Sequence, residues 1–213
     1  MPLFEVRRGQ ATGFGGGATP GAQMNTLGQL VAMDFYQAMV LDGRGYQIRA
    51  GTISVPVVGD VLITDTAAEY CIDAAAGLTL LPMACNISFN LAAATLFESA
   101  GKSVATVSSG GAAFTPLPLK SNGAAATSTA RVAVAGGCTV TAELATTTLR
   151  HFSWSQPIAA GAWPTCYDWQ PLYAPVLVGA RCFYVQVAAD TTGPSFYSNL
   201  DYLELPTLMI DPS

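Results

Sequence analysis

Between Arg49 and Leu91 the chain reads RAGTISVPVVGDVLITDTAAEYCIDAAAGLTLLPMACNISFNL, with apolar, β-branched runs interrupted every few residues by small or polar breakers. Short runs of that kind bounded by Gly, Pro and Asp mark consecutive antiparallel strands. The pattern predicts a strand over Tyr46 to Val57 that carries Ile48, Ile53 and Val55, with Gly51 as a bulge and Pro56 near an edge. Gly59-Asp60 reads as a turn, and Val61 to Thr64 and Glu69 to Asp73 as short strands. Leu78 to Leu91 is the longest strand pattern, broken by Pro82, and Ala92 to Lys102 reads as a small helix or a rising loop.

Further along, Val104 to Val107 is a short strand and Ser108 to Thr129 a Gly-, Pro- and Ser-rich loop. A loop of that length inside a domain is usually functional or an interface element, and its apolar residues Phe114, Leu117 and Leu119 suit contact with another subunit. Arg131 to Val134 and Cys138 to Leu149 resume the strand pattern, with Gly136-Gly137 as a hairpin signal, and His151 to Ser155 follows. Gln156 to Gln170 is an aromatic loop holding Trp163, Tyr167 and Trp169. Tyr173 to Ala188 reads as a strand pair bending at Gly179-Ala180, Asp190 to Ser198 as a polar turn, and Leu200 to Ile210 as the last strand.

Ahead of the strands, Asn25 to Asp42 spaces Leu27, Leu30, Val31, Asp34, Ala38 and Leu41 for a short helix, capped by Asn25 or Thr26 and stopped by Gly43, although Phe35 to Leu41 also fits an extended segment. Residues 1–24 read as an N-terminal arm, either a disordered tail or an extended segment that orders against a neighbouring subunit. Its run Gly13-Phe14-Gly15-Gly16-Gly17 and its Pro20-Gly21 hold neither helix nor strand, and Phe4 and Phe14 are its anchors. The expected fold is therefore all-β: an antiparallel jelly-roll sandwich of about eight strands, one domain over 25–213, with an extended arm and one short helix. An immunoglobulin-like sandwich fits less well, because a Cys…Trp…Cys pattern cannot be placed.

Composition changes the picture in one respect. Hydrophobic residues make up 51% of the chain and charged ones 11%, against about 25% in ordinary soluble domains. No run of about 18 apolar residues offers a membrane-spanning helix. The expected explanation is an outer surface buried against copies of the chain itself, in a symmetric oligomer or shell, with other proteins of the particle as further partners. A net charge of −5 and scattered cations argue against direct nucleic-acid binding. Met1 to Gln10 lacks an apolar signal core, so folding in a cytoplasm is expected.

Chemistry-bearing residues are sparse. Cys71, Cys85, Cys138, Cys166 and Cys182 sit in or beside apolar runs without a C-x-x-C pair, as reduced core thiols do, and a Cys166–Cys182 bridge stays open. His151 is the only histidine; Ser153, Ser155 and Cys166 are near it in sequence without forming a triad pattern, so it reads as a polar residue at a strand start. Asp65-Thr66-Ala67 is similar to the Asp-Thr-Gly/Ala motif of retroviral-type aspartic proteases, but the downstream apolar-apolar-Gly partner is missing. Asn86-Ile87-Ser88 is a formal glycosylation sequon in mid-strand. We expect no enzyme activity, no catalytic residue, no cofactor and no metal.

The Gly-rich arm, the Ala/Gly/Thr/Val composition, the long 108–129 loop and the closing strand LDYLELPTLMI together resemble single-jelly-roll viral and bacteriophage capsid proteins. The resemblance covers residues 43–210 and implies a self-assembling shell subunit of a bacteriophage virion, assembled in the host cytoplasm. The alternative is a phage decoration, fibre or tail-associated trimer that binds a receptor or glycan. Either way the expected subunit contacts are Phe4, Phe14, Phe114, Leu117, Leu119, Trp163, Tyr167 and Trp169.

Overall fold

The computed structural model of the protein describes residues 34–64, 66–91, 96–133, 137–144, 146–157, 166–190 and 193–207. The arm with Phe4 and Phe14, together with Asp65, Trp163 and residues 208–213, lies outside the described residues.

The described chain is mostly β-structure in antiparallel sheets, with one short helix, α1 (Phe35–Leu41). The strands are β1 (Gly45–Ala50), β2 (Val57–Val58), β3 (Ala67–Ala68), β4 (Tyr70–Ala74), β5 (Leu78–Leu91), β6 (Leu96–Val104), β7 (Ser109–Gly110) and β8 (Ala112–Phe114). They continue with β9 (Leu117–Pro118), β10 (Thr129–Val132), β11 (Cys138–Thr139), β12 (Leu149–Pro157), β13 (Cys166–Trp169), β14 (Leu177–Val178), β15 (Arg181–Ala189) and β16 (Ser195–Pro206). One sheet runs β13-β5-β16-β1-β9, with β14 also on β5 and β2 also on β16. The second runs β12-β6-β15-β4-β10-β8, and a small third sheet, β3-β11-β7, forms a flap.

The two large sheets bury a common core. Alternate side chains point inward, as the two-residue period requires: Tyr46 and Ile48 from β1, Ile87 and Phe89 from β5, Phe183 and Val185 from β15, and Phe196, Leu200 and Tyr202 from β16. Each such side chain stabilises the fold by about 1.5–3 kcal/mol on burial. Two polar groups among them are tied together: the Tyr70 hydroxyl is 2.6 Å from Ser198 Oγ, which donates to the Asn86 carbonyl at 2.7 Å. On the side where β12 and β13 are the outermost strands, the rings of Phe152, Trp154, Tyr167 and Trp169 join them, with centroid separations of 5.1–5.4 Å. Gly101 lies directly beneath the Phe152 ring, where a Cβ would overlap it.

Several expectations are corrected. The helix is capped by extended Asp34, which accepts from Gln37 N–H at 2.8 Å, so within the described residues the helical spacing is realised only from Phe35. It covers the outer face of the seven-stranded sheet through Met39, against Leu81, Leu203 and Leu205. Val61 to Thr64 is not a strand, while the stretch read as a helix or loop supplies β6. The 108–129 stretch contains β7, β8 and β9 and folds back onto the chain. Gly136 lies outside the described residues, but β10 and β11 on either side join different sheets and do not pair, and neither do β14 and β15. Of the described residues from Cys138 to Leu149, Cys138, Thr139 and Leu149 lie in strands and the others do not.

Pro82 does not break β5. On one side the strand pairs β16, with a register slip between Asp201 and Tyr202; on the other, β14 ends at Leu80 and β13 begins at Cys85. Pro82 falls in that gap, where a missing N–H breaks no ladder with either strand.

Candidate functional site

The expected contact residues separate into two groups. Trp169, 8% exposed, belongs to the chain's own core and stacks on Phe183 at 5.9 Å, and Tyr167 stacks on Trp154, so both serve the aromatic seam. Phe114 is half-buried against the same core. Leu119 is half-buried beside Gly45, to whose carbonyl its N–H donates at 2.9 Å. Leu117 is exposed on β9, paired with Gln47 of β1.

The large exposed apolar side chains lie mainly elsewhere. Gly51, at φ +67°, ends β1, and Thr52 to Val55 then closes a turn through the Thr52 N–H to Val55 carbonyl bond of 2.8 Å. That turn puts Ile53 and Val55 in solvent, at 75% and 70% exposure, and Val58, Val61 and Leu62 are exposed further along the same segment. A second loop exposes Leu172 and Tyr173, at 87% and 84%, with Val176 and Val178 beside them.

These loops flank opposite ends of β5. β2 joins β16 at Ser195 and Phe196, opposite Leu91 and Phe89, whereas β14 pairs Thr79 and Leu80. Fourteen strand residues separate the two ends by about 40 Å. The sequence held a signal for the first loop in Ile53, Val55, Val58, Val61 and Leu62, but Ile53 and Val55 fell in the strand expected over Tyr46 to Val57, and Val61 and Leu62 in the one expected over Val61 to Thr64.

The outer face of the seven-stranded sheet carries a polar depression of about 190 Å³, lined by Gln47, Asn86, Asp168, Asn199 and Asp201 among others. Gln47 Nε2 donates to Asp201 Oδ1 at 2.8 Å, and Asn86 Nδ2 to Asp168 Oδ1 at 2.5 Å. Burial pushes the Asp201 carboxyl up, and the Gln47 bond opposes it.

His151 stacks on Phe183 at 5.4 Å, and its Nε2 is 2.8 Å from Ser103 Oγ. Neither Ser153 nor Ser155 is its partner in that bond; Ser103 is, and at 1% exposure its hydroxyl is closed to a substrate. Burial pushes the imidazole down from its ordinary value. Glu69, buried behind β3, is pushed up to about 8 by burial and by the charge of Asp60.

All five cysteines are free, and Cys166 is exposed on β13 while Cys182 is buried on β15, so they do not bridge. Cys71, Cys138 and Cys182 share a small core beneath the flap with Ala68, Val104, Val140 and Tyr184. Cys71 Sγ is 3.0 Å from Ser108 Oγ, whose hydroxyl donates to Asp73 Oδ2 at 2.6 Å. Hydrogen bonds from Cys138 and then Cys182 hold the Cys71 thiol well below its ordinary value, against burial. The same contacts with Cys71, together with burial, push Cys138 and Cys182 up. Among the described residues no three His, Cys, Asp or Glu side chains are arranged to hold a metal ion.

No protein-family model matches the chain, and neither a curated protein nor a solved structure matches it.

Proposed function

We propose that this protein is a self-assembling structural subunit, a shell protein of a bacteriophage virion built on a jelly roll. The strand order supports the jelly roll. Its eight principal strands are β1, β4, β5, β6, β12, β13, β15 and β16, which lie as β1-β16-β5-β13 in one sheet and β4-β15-β6-β12 in the other. Such an order fits the interleaving of two Greek keys, with the long stretch between β6 and β12 read as an insertion.

The observation that carries the assembly reading is the pair of apolar loops at opposite ends of β5, around Ile53 and around Leu172. Contiguous exposed apolar groups mark association surfaces. Two different ones on opposite ends favour head-to-tail contacts, which propagate around rings and shells instead of ending in a dimer. The low charge content fits a surface that is covered in use.

The test is the mass of the purified protein by light scattering, with negative-stain microscopy. Closed particles of many copies are the expected result, and Ile53→Asp with Leu172→Asp should leave folded, unassembled subunits. Deletion of residues 1–24 should likewise leave a folded sandwich that assembles poorly. A monodisperse monomer at high concentration would overturn the reading.

The polar depression at Asp168 and Asp201 favours a second reading, a decoration or fibre trimer that holds a receptor glycan. That reading expects a discrete trimer whose glycan binding is lost on Asp201→Asn.

A further inference from the structure

We propose that Cys71 and Cys138 are an oxidisable pair whose disulfide would lock the β3-β11-β7 flap onto the six-stranded sheet. Three of the five cysteines meet in one buried cluster although they come from separate segments: Cys71 on β4, Cys138 on β11 of the flap and Cys182 on β15. The remaining two are placed elsewhere. Cys85 lies in the main core, 3.2 Å from the Tyr70 hydroxyl, and Cys166 is exposed on β13.

Register selects the partner. β4 and β15 pair Cys71 with Tyr184 and Asp73 with Cys182, so Cys71 and Cys182 are diagonal neighbours within one ladder. Diagonal positions hold their Cα atoms about 7–8 Å apart, beyond the span of about 6.8 Å that a disulfide usually accepts. Cys138 approaches from the flap above the sheet, outside that ladder. Its Sγ points inward across Gly111, where a Cβ would come within 2.8 Å of it. Gly111 sits at φ +64°, so the close approach and the backbone conformation both select glycine.

The flap also supplies access. Each of its strands has only two residues, and so short a ladder opens locally at low free energy. A low-molecular-weight disulfide such as oxidised glutathione can then enter. The Cys71 thiolate attacks one of its sulfurs, forming a mixed disulfide and releasing one small thiolate. The Cys138 thiolate next attacks the Cys71 sulfur and releases the second small thiolate. The two protons lost by the protein thiols are taken up by the released thiolates, two protein sulfurs are oxidised, and one small disulfide is reduced to two thiols. Passage from a reducing to an oxidising compartment would drive the reaction forward. The inference stands whether or not the chain builds a shell.

The test uses the full chain with Cys166→Ser, which removes the exposed competitor. The folded protein is incubated with oxidised glutathione, quenched in acid, denatured and alkylated. Free thiols are then counted by intact mass and the linkage is mapped on peptides. Two of the four remaining thiols should be lost to a Cys71–Cys138 link, with a rise in Tm that reductant reverses. Adding Cys138→Ser should abolish the link and the rise. Should that variant fail to fold, Cys182→Ser serves as the second probe and should keep the Cys71–Cys138 link. Four free thiols after oxidation, a persistent glutathione adduct or a Cys71–Cys182 link would each overturn the proposal.

Discussion

The two outer faces of the sandwich are each covered over an apolar cluster, but only one of the covers adds buried polar ties. On the seven-stranded sheet, α1 lays Met39 on Leu81, Leu203 and Leu205, hydrocarbon against hydrocarbon. On the six-stranded sheet, the flap closes over the small cysteine-bearing core and adds buried polar ties around it. Lys102, 6% exposed at its side chain, pairs with Glu143 at 2.7 Å, and Arg150 reaches the same carboxylate. Asp73 accepts both the N–H and the hydroxyl of Ser108, and Gln186 Nε2 donates to the carbonyls of Thr64 and Ala67. Apolar contact is non-directional, so a shifted helix still buries area. The polar cover fixes a single position for the flap, and loss of one partner strands the other under it.

The sharpest break of the comparison is on the apolar face. Leu203→Ala should cost about 3 kcal/mol, because the space beneath α1 can collapse only partly. Urea denaturation should show the lower midpoint at an unchanged slope. On the polar face, Glu143→Ala leaves the Lys102 ammonium buried without its carboxylate and should cost about 2 kcal/mol. The double change Lys102→Met with Glu143→Leu should recover most of that loss, which a double-mutant cycle would read as coupling; equal losses in single and double variants would remove the flap's dependence on this pair.

A pH series refines the contrast further. The Glu69 carboxyl binds its proton more tightly in the folded chain, titrating at about 8 instead of 4.5. Its contribution is present in full below about 4.5 and lost as pH rises through about 8, at up to about 1.4 kcal/mol per pH unit. Glu69→Gln should flatten that slope in urea midpoints measured across the window. The smallest effect returns to the helix: Asp34→Ala removes the cap on Gln37 N–H and should lower stability by about 1 kcal/mol.

The same contrast governs what the sequence reveals. Strands with one face inward and one outward show alternation: β1 was legible, and so was β16 from Leu200 on, whereas its first residues, Ser195 to Ser198, read as part of a polar turn because Ser198 stands at an inward position. β6 did not look like a strand because both its faces are covered, Phe97 by the main core and Val104 by the flap core, so LFESAGKSV carries no alternation. Ile53 and Val55 misled in the opposite direction. Across a bulge at Gly51 they would share the face of Ile48, but Gly51 turns the backbone and leaves them in solvent. Trp169 and Tyr167 looked like contact residues because aromatic groups serve interfaces and cores alike, and only the pairing of β13 with β5 places them at the seam. The cysteine cluster was illegible for a simpler reason: Cys71, Cys138 and Cys182 share no spacing, and only three distant segments folding together bring them into contact.

The position of β16 sets a timetable for synthesis. It lies between β5 and β1, both made long before it, and neither completes its hydrogen-bond ladder until β16 has left the ribosome. The emerging chain must therefore carry β1 and β5 with unpaired edges through most of translation, which is the condition under which strands pair with the wrong neighbour. Folding is committed late and nearly all at once, and a ribosome that stalls before Ser195 leaves a product unable to form the seven-stranded sheet.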